Sequence, residues 1–63
     1  MTREEVYERM LYMTTDQLTE AVESVDPDWL AHFGDLDRAA SRYLEYGQPE
    51  FWQAVERITE EAA

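Results

Sequence analysis

The 63-residue chain contains no cysteine, so no disulfide compensates for the small core of so short a domain. Lysine is also absent, and only two glycines are present, too few for a phosphate-binding glycine-rich loop. No run of 18 apolar residues occurs, which argues against a transmembrane helix, and the first residues have no signal-peptide character. These absences predict a soluble, cytoplasmic protein.

Metal-binding and catalytic patterns are missing as well. His32 is the only histidine, and no cysteine or second histidine completes a zinc site. Calcium loops starting at Asp26 or Asp35 would place Ala31 or Ala40 where the turn needs glycine. Carboxylates are so frequent that no pair of them indicates acid–base catalysis. We therefore expect no metal, no cofactor and no enzymatic activity.

The apolar content, in contrast, is normal at 44%, and aromatic residues reach 13%. A disordered acidic tail would lack such large apolar groups, so the composition predicts a folded core. A chain of about 60 residues buries only about 60% of its unfolded surface, and its stability is marginal. Residues 1–63 are accordingly predicted to form a single domain.

Capping residues divide the chain into short helices. The signals are the boxes Thr2 with Glu5 and Thr14 with Gln17, the starts Asp26–Pro27, Asp35 and Gln48–Pro49, and the stops Gly34 and Gly47. No strand-like alternation is present. The sequence predicts an all-α fold, a compact bundle of four to five short helices.

Each predicted helix carries apolar residues at helical spacing, which indicates its buried face. These residues are Val6, Tyr7, Met10, Leu11 and Met13; Leu18, Ala21, Val22 and Val25; Trp29, Leu30 and Phe33; Leu36, Ala40, Tyr43 and Leu44; and Phe51, Trp52, Val55, Ile58 and Ala62. Tyr12 and Tyr46 fall outside these stripes and are predicted to be exposed. We expect Glu5 to pair with Arg9, and Arg38 and Arg42 to neutralise neighbouring acids such as Glu45.

Charge is the most unusual property of the chain. Fifteen acids oppose five arginines, giving a formal net charge of −10. Nucleic acid and anionic membranes should repel such a protein, whereas basic protein surfaces should attract it. The composition therefore predicts a basic protein partner, with no direct binding to nucleic acid or membrane.

Acidic residues are concentrated between positions 16 and 37, where no arginine interrupts them. Three of them, at i, i+4 and i+7, should share one helix face and resemble a stretch of phosphate backbone in charge and spacing. We therefore hypothesise that this region occupies a basic groove meant for nucleic acid. The candidate partner-binding residues are Asp16, Glu20, Glu23, Asp26, Asp28, Asp35 and Asp37.

Two simpler interpretations of the acidity stand beside this hypothesis. A run of charges is most often a solvated face without a partner, and a salt-adapted protein is acidic all over its surface. The lack of lysine also fits a GC-rich coding sequence. A salt-adapted fold should lose structure in dilute buffer, whereas we expect this one to remain folded there.

In size, acidity, lysine-free arginine usage and helical pattern, the chain resembles small phage-encoded anti-CRISPR proteins. Several of these are acidic helical domains that act as DNA mimics. The resemblance implies an inhibitor in the host cytoplasm whose partner is a CRISPR effector, either a type I Cascade-type complex with a basic DNA-entry surface or a nuclease.

Two other functional classes remain open on the sequence. A structural or regulatory helical module would self-associate or bind a partner helix, and an exposed apolar patch including Trp29 or Trp52 would favour it. An antitoxin-like protein would neutralise a basic toxin by the same electrostatics as a DNA mimic. The chain itself is predicted to be a monomer or a weak homodimer.

Overall fold

The computed structural model describes residues 2–62, with side chains through residue 61. This part of the chain forms helices and short connections, which confirms the all-α prediction. The helices are α1 (Arg3–Leu11), α2 (Thr15–Val25), α3 (Pro27–Phe33), α4 (Leu36–Tyr46) and α5 (Pro49–Ala62). None of them is both long and apolar enough to cross a membrane.

The helices begin where the capping residues predicted. At α2 the box is complete: the Thr14 hydroxyl accepts from the Gln17 amide at 3.2 Å, and the Gln17 side chain accepts from the Thr14 amide at 2.9 Å. At α1 only one direction is present, since Thr2 accepts from the Glu5 amide at 3.2 Å.

Two short connections set the directions of α3, α4 and α5. The Asp26 and Asp35 side chains cap α3 and α4, each accepting a backbone N–H two residues ahead at 3.0 Å. Gly34 and Gly47 end α3 and α4 with φ of 68° and 67°, a left-handed conformation that glycine adopts without a Cβ penalty. Because these signals are local, the sequence predicted all four.

The core lies between α2, α4 and α5, with α1 closing one side. Helix α2 contacts α3, α4 and α5, and α1 contacts α4 and α5. The buried apolar residues form one cluster, made up of Val6, Leu18, Ala21, Val22, Ala39, Ala40, Tyr43, Phe51, Ala54, Val55 and Ile58. Burial of this apolar surface is the main force that holds so small a fold together.

The buried face of α1 differs from the prediction. Tyr7 and Leu11 are 51% and 63% exposed, and only Val6 on this helix is fully buried. Helix α1 packs mainly against α4 and α5, and its broad apolar stripe exceeds what these neighbours cover. Conversely, Ala39 and Ala54 are buried although the stripes omitted them. The predicted inward position of Ala62 lies outside the described side chains.

The arginines form both local ion pairs and contacts between helices. Arg9 donates to the Thr59 hydroxyl at 3.0 Å, which ties α1 to α5, and the predicted Glu5–Arg9 pair is not found among the ion pairs of the described residues. Arg42 pairs with Glu45 at 3.2 Å, as expected, at the exposed surface. Such exposed pairs contribute at most about 1 kcal/mol, so they do not decide the fold.

Candidate functional site

Three carboxylates form a row along the outer face of α2. Asp16, Glu20 and Glu23 are all exposed, whereas Leu18 and Val22 on the opposite face are buried. At about 1.5 Å of rise per residue, the three positions are separated by roughly 6 Å and 4.5 Å along the axis. The structure thus brings these three predicted residues together on one solvent-facing surface, here called the α2 row.

The other four predicted acids stand at the starts of helices. Asp26 and Asp35 are the N-caps of α3 and α4, while Asp28 and Asp37 lie in the first turns. A carboxylate at a helix N-terminus is stabilised by the unpaired amides and by the helix dipole. These four acids therefore have a structural role that the charge count alone did not reveal.

Acids at the starts of α3 and α4 border different hollows. Asp26 borders a hollow at the end of α2, beside Val25. Asp37 borders a different hollow beside Leu18, in the first half of α2. Leu18 and Val25 are about 10 Å apart along the helix axis. The set consequently divides into the α2 row and two pairs at the starts of α3 and α4.

Arginine does not neutralise these seven carboxylates. In the region from residue 2 to residue 62, the ion pairs within 4 Å join Arg42 to Glu45 and Arg57 to Glu61, both outside the set. Arg3 donates to the backbone carbonyl of Glu45 at 3.2 Å. The expected neutralisation of acids by Arg38 is not found among these contacts. The α2 row consequently keeps its charge exposed to solvent.

A second surface feature combines acidic and aromatic side chains. A solvent-open hollow of about 420 Å³ is bordered by Asp26, Trp29, Tyr43, Tyr46 and Glu50. Trp29 and Tyr43 are stacked with ring centroids 4.4 Å apart, and Tyr46 meets Trp29 edge-on at 6.3 Å. The Trp29 indole N–H donates to the Ala39 carbonyl at 3.0 Å, which fixes the ring. We call this feature the aromatic hollow.

Sequence reasoning missed the aromatic hollow. It assigned Trp29 to the core, where it does pack in part, and treated Tyr46 as an isolated exposed residue. The hollow joins residues from the end of α2 to the start of α5, and only the tertiary fold brings them together. No local spacing in the sequence marks it.

Tyr43 connects the hollow to the core. Burial, and then the negative charges of Asp26 and Glu50, raise the pKa of its phenol above the ordinary value of 10.0. Burial and negative neighbours both disfavour the phenolate, which accounts for the direction.

This pKa shift predicts a loss of stability in alkali. A phenol whose pKa is higher in the folded state stabilises the fold fully below its unfolded pKa of about 10, and this contribution is lost as pH rises through the folded pKa. We expect the free energy of unfolding to fall above about pH 10, and less steeply for Tyr43→Phe. Urea denaturation across this pH range measures both slopes; equal slopes would contradict the assignment to Tyr43.

An apolar hollow lies on α1. Its volume is about 540 Å³, and its walls include Tyr7, Leu11 and Leu44. Nearby Tyr12 is 89% exposed, which confirms the prediction of an exposed tyrosine. Aromatic side chains are enriched where proteins bind one another, and exposed apolar patches often mark such sites.

The remaining candidates have structural explanations or no partners. His32 is exposed and lies edge-on to Phe33 at 5.1 Å. No group of three or more metal-ligating side chains occurs among the described residues. The Trp52 indole N–H is buried and has no hydrogen-bond partner in residues 2–61, which costs about 1–3 kcal/mol.

Comparisons of the chain with protein-family models, with curated proteins and with solved structures found no match.

Proposed function

We propose that the protein binds, through the α2 row, a basic surface with which a partner protein otherwise holds nucleic acid. Occupation of that surface excludes the nucleic acid, so the protein acts as a DNA mimic. In line with the anti-CRISPR resemblance, the proposed partner is a type I Cascade-type effector and the surface its DNA-entry groove. The proposal assigns no enzymatic step to the chain.

The observation that supports this proposal is the state of the α2 row. Its three carboxylates are exposed, regularly spaced and without an ion pair within the described part of the chain. Like charges three and four residues apart on a helix repel one another by about 0.2–0.5 kcal/mol per pair. Glu20 and Glu23 gain nothing from a helix N-terminus in return, so their clustering favours a role in binding.

The decisive experiment is displacement of DNA from a Cascade-type complex. Fluorescence anisotropy of a labelled target duplex reports its release as the protein is added. We expect the variant Asp16→Asn with Glu20→Gln and Glu23→Gln to displace the duplex about 10- to 100-fold less well, because each lost charge contact is worth on the order of 0.5–1 kcal/mol. Wild-type displacement should also weaken between about 0.05 M and 0.5 M salt.

A matched control separates the α2 row from net charge. The variant Glu5→Gln with Glu8→Gln and Glu60→Gln removes the same three charges from exposed positions on α1 and α5. It should displace DNA as well as the wild type within a few-fold. Equal losses of DNA displacement in both variants would mean that total charge, and not the α2 row, determines displacement. Failure of the wild type to displace DNA would overturn the proposal.

A second candidate function is supported by the apolar hollow on α1. Tyr7 and Leu11, exposed beside Leu44, form the kind of patch that a helical protein–protein interaction module uses. Binding through this patch would be insensitive to salt and would be lost in Leu11→Ser. Substitutions in the α2 row would not change it. An antitoxin-like neutraliser would behave as the DNA mimic does, but with a basic toxin as its partner.

A further inference from the structure

We infer that the aromatic hollow is a binding site for an arginine side chain of a protein partner. The inference deepens the proposed function and rests on it only for the source of the arginine, a basic partner surface. The site itself is separate from the α2 row, since none of that row borders the hollow.

The walls of the hollow combine the two kinds of group that hold a guanidinium. Asp26 and Glu50 border it from the end of α2 and from the first turn of α5, and each supplies a negative charge. The exposed Tyr46 ring and the partly buried Trp29 ring supply aromatic surfaces. A guanidinium accepts both at once, because it is planar, stacks on rings and forms paired hydrogen bonds with carboxylates.

The Tyr43 phenol adds a hydrogen-bond acceptor to the wall of the hollow. Its side chain is only 4% exposed and borders the hollow. Within the described part of the chain, the Tyr43 hydroxyl forms no hydrogen bond. The Asp26 oxygen that caps α3 already accepts a hydrogen bond from the Asp28 amide. The hydroxyl oxygen is not among the fully buried atoms that lack a partner, so solvent reaches it, and an entering N–H group can replace water as its donor.

The chemistry of the walls favours an organic cation over a metal ion. The hollow contains two carboxylates, and no set of three metal-ligating side chains occurs between residues 2 and 61. Calcium takes six to eight oxygen ligands, which two carboxylates and a phenol do not provide. Lysine is more strongly hydrated than arginine and does not stack as a planar group, so arginine fits these walls better.

The experiment is an NMR titration of the full chain with N-acetyl-arginine amide. We expect saturable changes at the Trp29 indole N–H and at the amides of Tyr46 and Glu50, with a dissociation constant on the order of millimolar for a single side chain. The matching citrulline compound, which is uncharged but otherwise similar in shape, should bind at least about 10-fold more weakly.

Two variants assign the binding to the hollow. Asp26→Asn with Glu50→Gln removes both charges, yet asparagine still caps α3, so the fold should persist while arginine binding falls at least about 10-fold. The control Glu5→Gln with Glu60→Gln removes two exposed acids that do not border the hollow and should bind as the wild type. Tyr46→Leu, at a 63% exposed position, should weaken binding several-fold through loss of one ring.

Equal binding of the arginine and citrulline compounds, or unchanged binding by the Asp26 and Glu50 double variant, would overturn the inference. Binding of N-acetyl-arginine amide requires no partner protein. Arginine binding by the hollow can therefore be detected even if the protein fails to displace DNA. Conversely, the α2 row variant could lose DNA displacement and still bind arginine. That result would support partner binding by the α2 row and would show that the hollow is a separate site.

Discussion

Replacement of Phe51 by alanine should remove most of the free energy of unfolding and leave the chain only marginally folded at room temperature. The Phe51 side chain is fully buried, and its ring lies 5.4 Å from that of Tyr43. Truncation of a buried phenylalanine costs about 3–5 kcal/mol, because apolar contacts are lost and a cavity remains. Small domains are stable by about 5 kcal/mol at the low end of the usual range, so this one change removes most of the total.

Urea denaturation followed by far-ultraviolet circular dichroism measures this effect. Phe51→Leu keeps an apolar group in place and should retain a cooperative transition at a lower midpoint. Tyr12→Ala, at an 89% exposed position, should change the free energy of unfolding by no more than about 0.5 kcal/mol. A Phe51→Ala variant with the wild-type midpoint would show that the core is not centred on this residue.

Phe51 also supports the aromatic hollow from beneath. Tyr43 lies between the Phe51 ring and the stacked Trp29 ring, so its position depends on both. We therefore expect Phe51→Leu to make the position of the Tyr43 ring less fixed while the chain remains folded. Core packing and arginine binding are linked at this one tyrosine.

The helix boundaries were predictable because their signals are local. Thr14, Asp26 and Asp35 each bind an amide two or three residues ahead, and Gly34 and Gly47 adopt a conformation that other residues avoid. Such interactions depend on neighbours in the sequence and not on the packing of distant helices. Five short helices follow from them directly.

The exact buried faces were less predictable. Periodicity finds an apolar stripe but does not say how many neighbouring helices will cover it, which is why Tyr7 and Leu11 were assigned to a core that leaves them exposed. Alanine contributes little to such a pattern, yet Ala39 and Ala54 are buried where helices approach closely. Tertiary packing decided these positions, and no local signal carries that information.

The candidate site shows the same division. The α2 row follows from spacing within one helix, and the exposure of Asp16, Glu20 and Glu23 agrees with that spacing. The aromatic hollow depends instead on how α2, α3, α4 and α5 meet, which the sequence did not reveal. Asp26 illustrates both levels, because it caps α3 locally and also borders the hollow.

The second large effect is expected when leucine replaces Ala21. This alanine is fully buried on the face of α2 opposite the α2 row, where α2 packs against the other helices. A leucine there needs space that a close-packed interior does not provide, and such overpacking typically costs about 1–3 kcal/mol. The helix propensities of alanine and leucine are similar, so the loss would come from packing.

Ala31→Leu is the matched control, since Ala31 is exposed on α3 and the chemical change is identical. Its free energy of unfolding should stay within about 0.5 kcal/mol of the wild type, whereas Ala21→Leu should lower the urea midpoint by about 1 M, given a slope of about 1–3 kcal/mol per molar for small proteins. Equal midpoints for the two variants would mean that α2 can move outward without loss. In that case the α2 row would not be held at a fixed position, and a rigid match to a basic groove would no longer explain its binding.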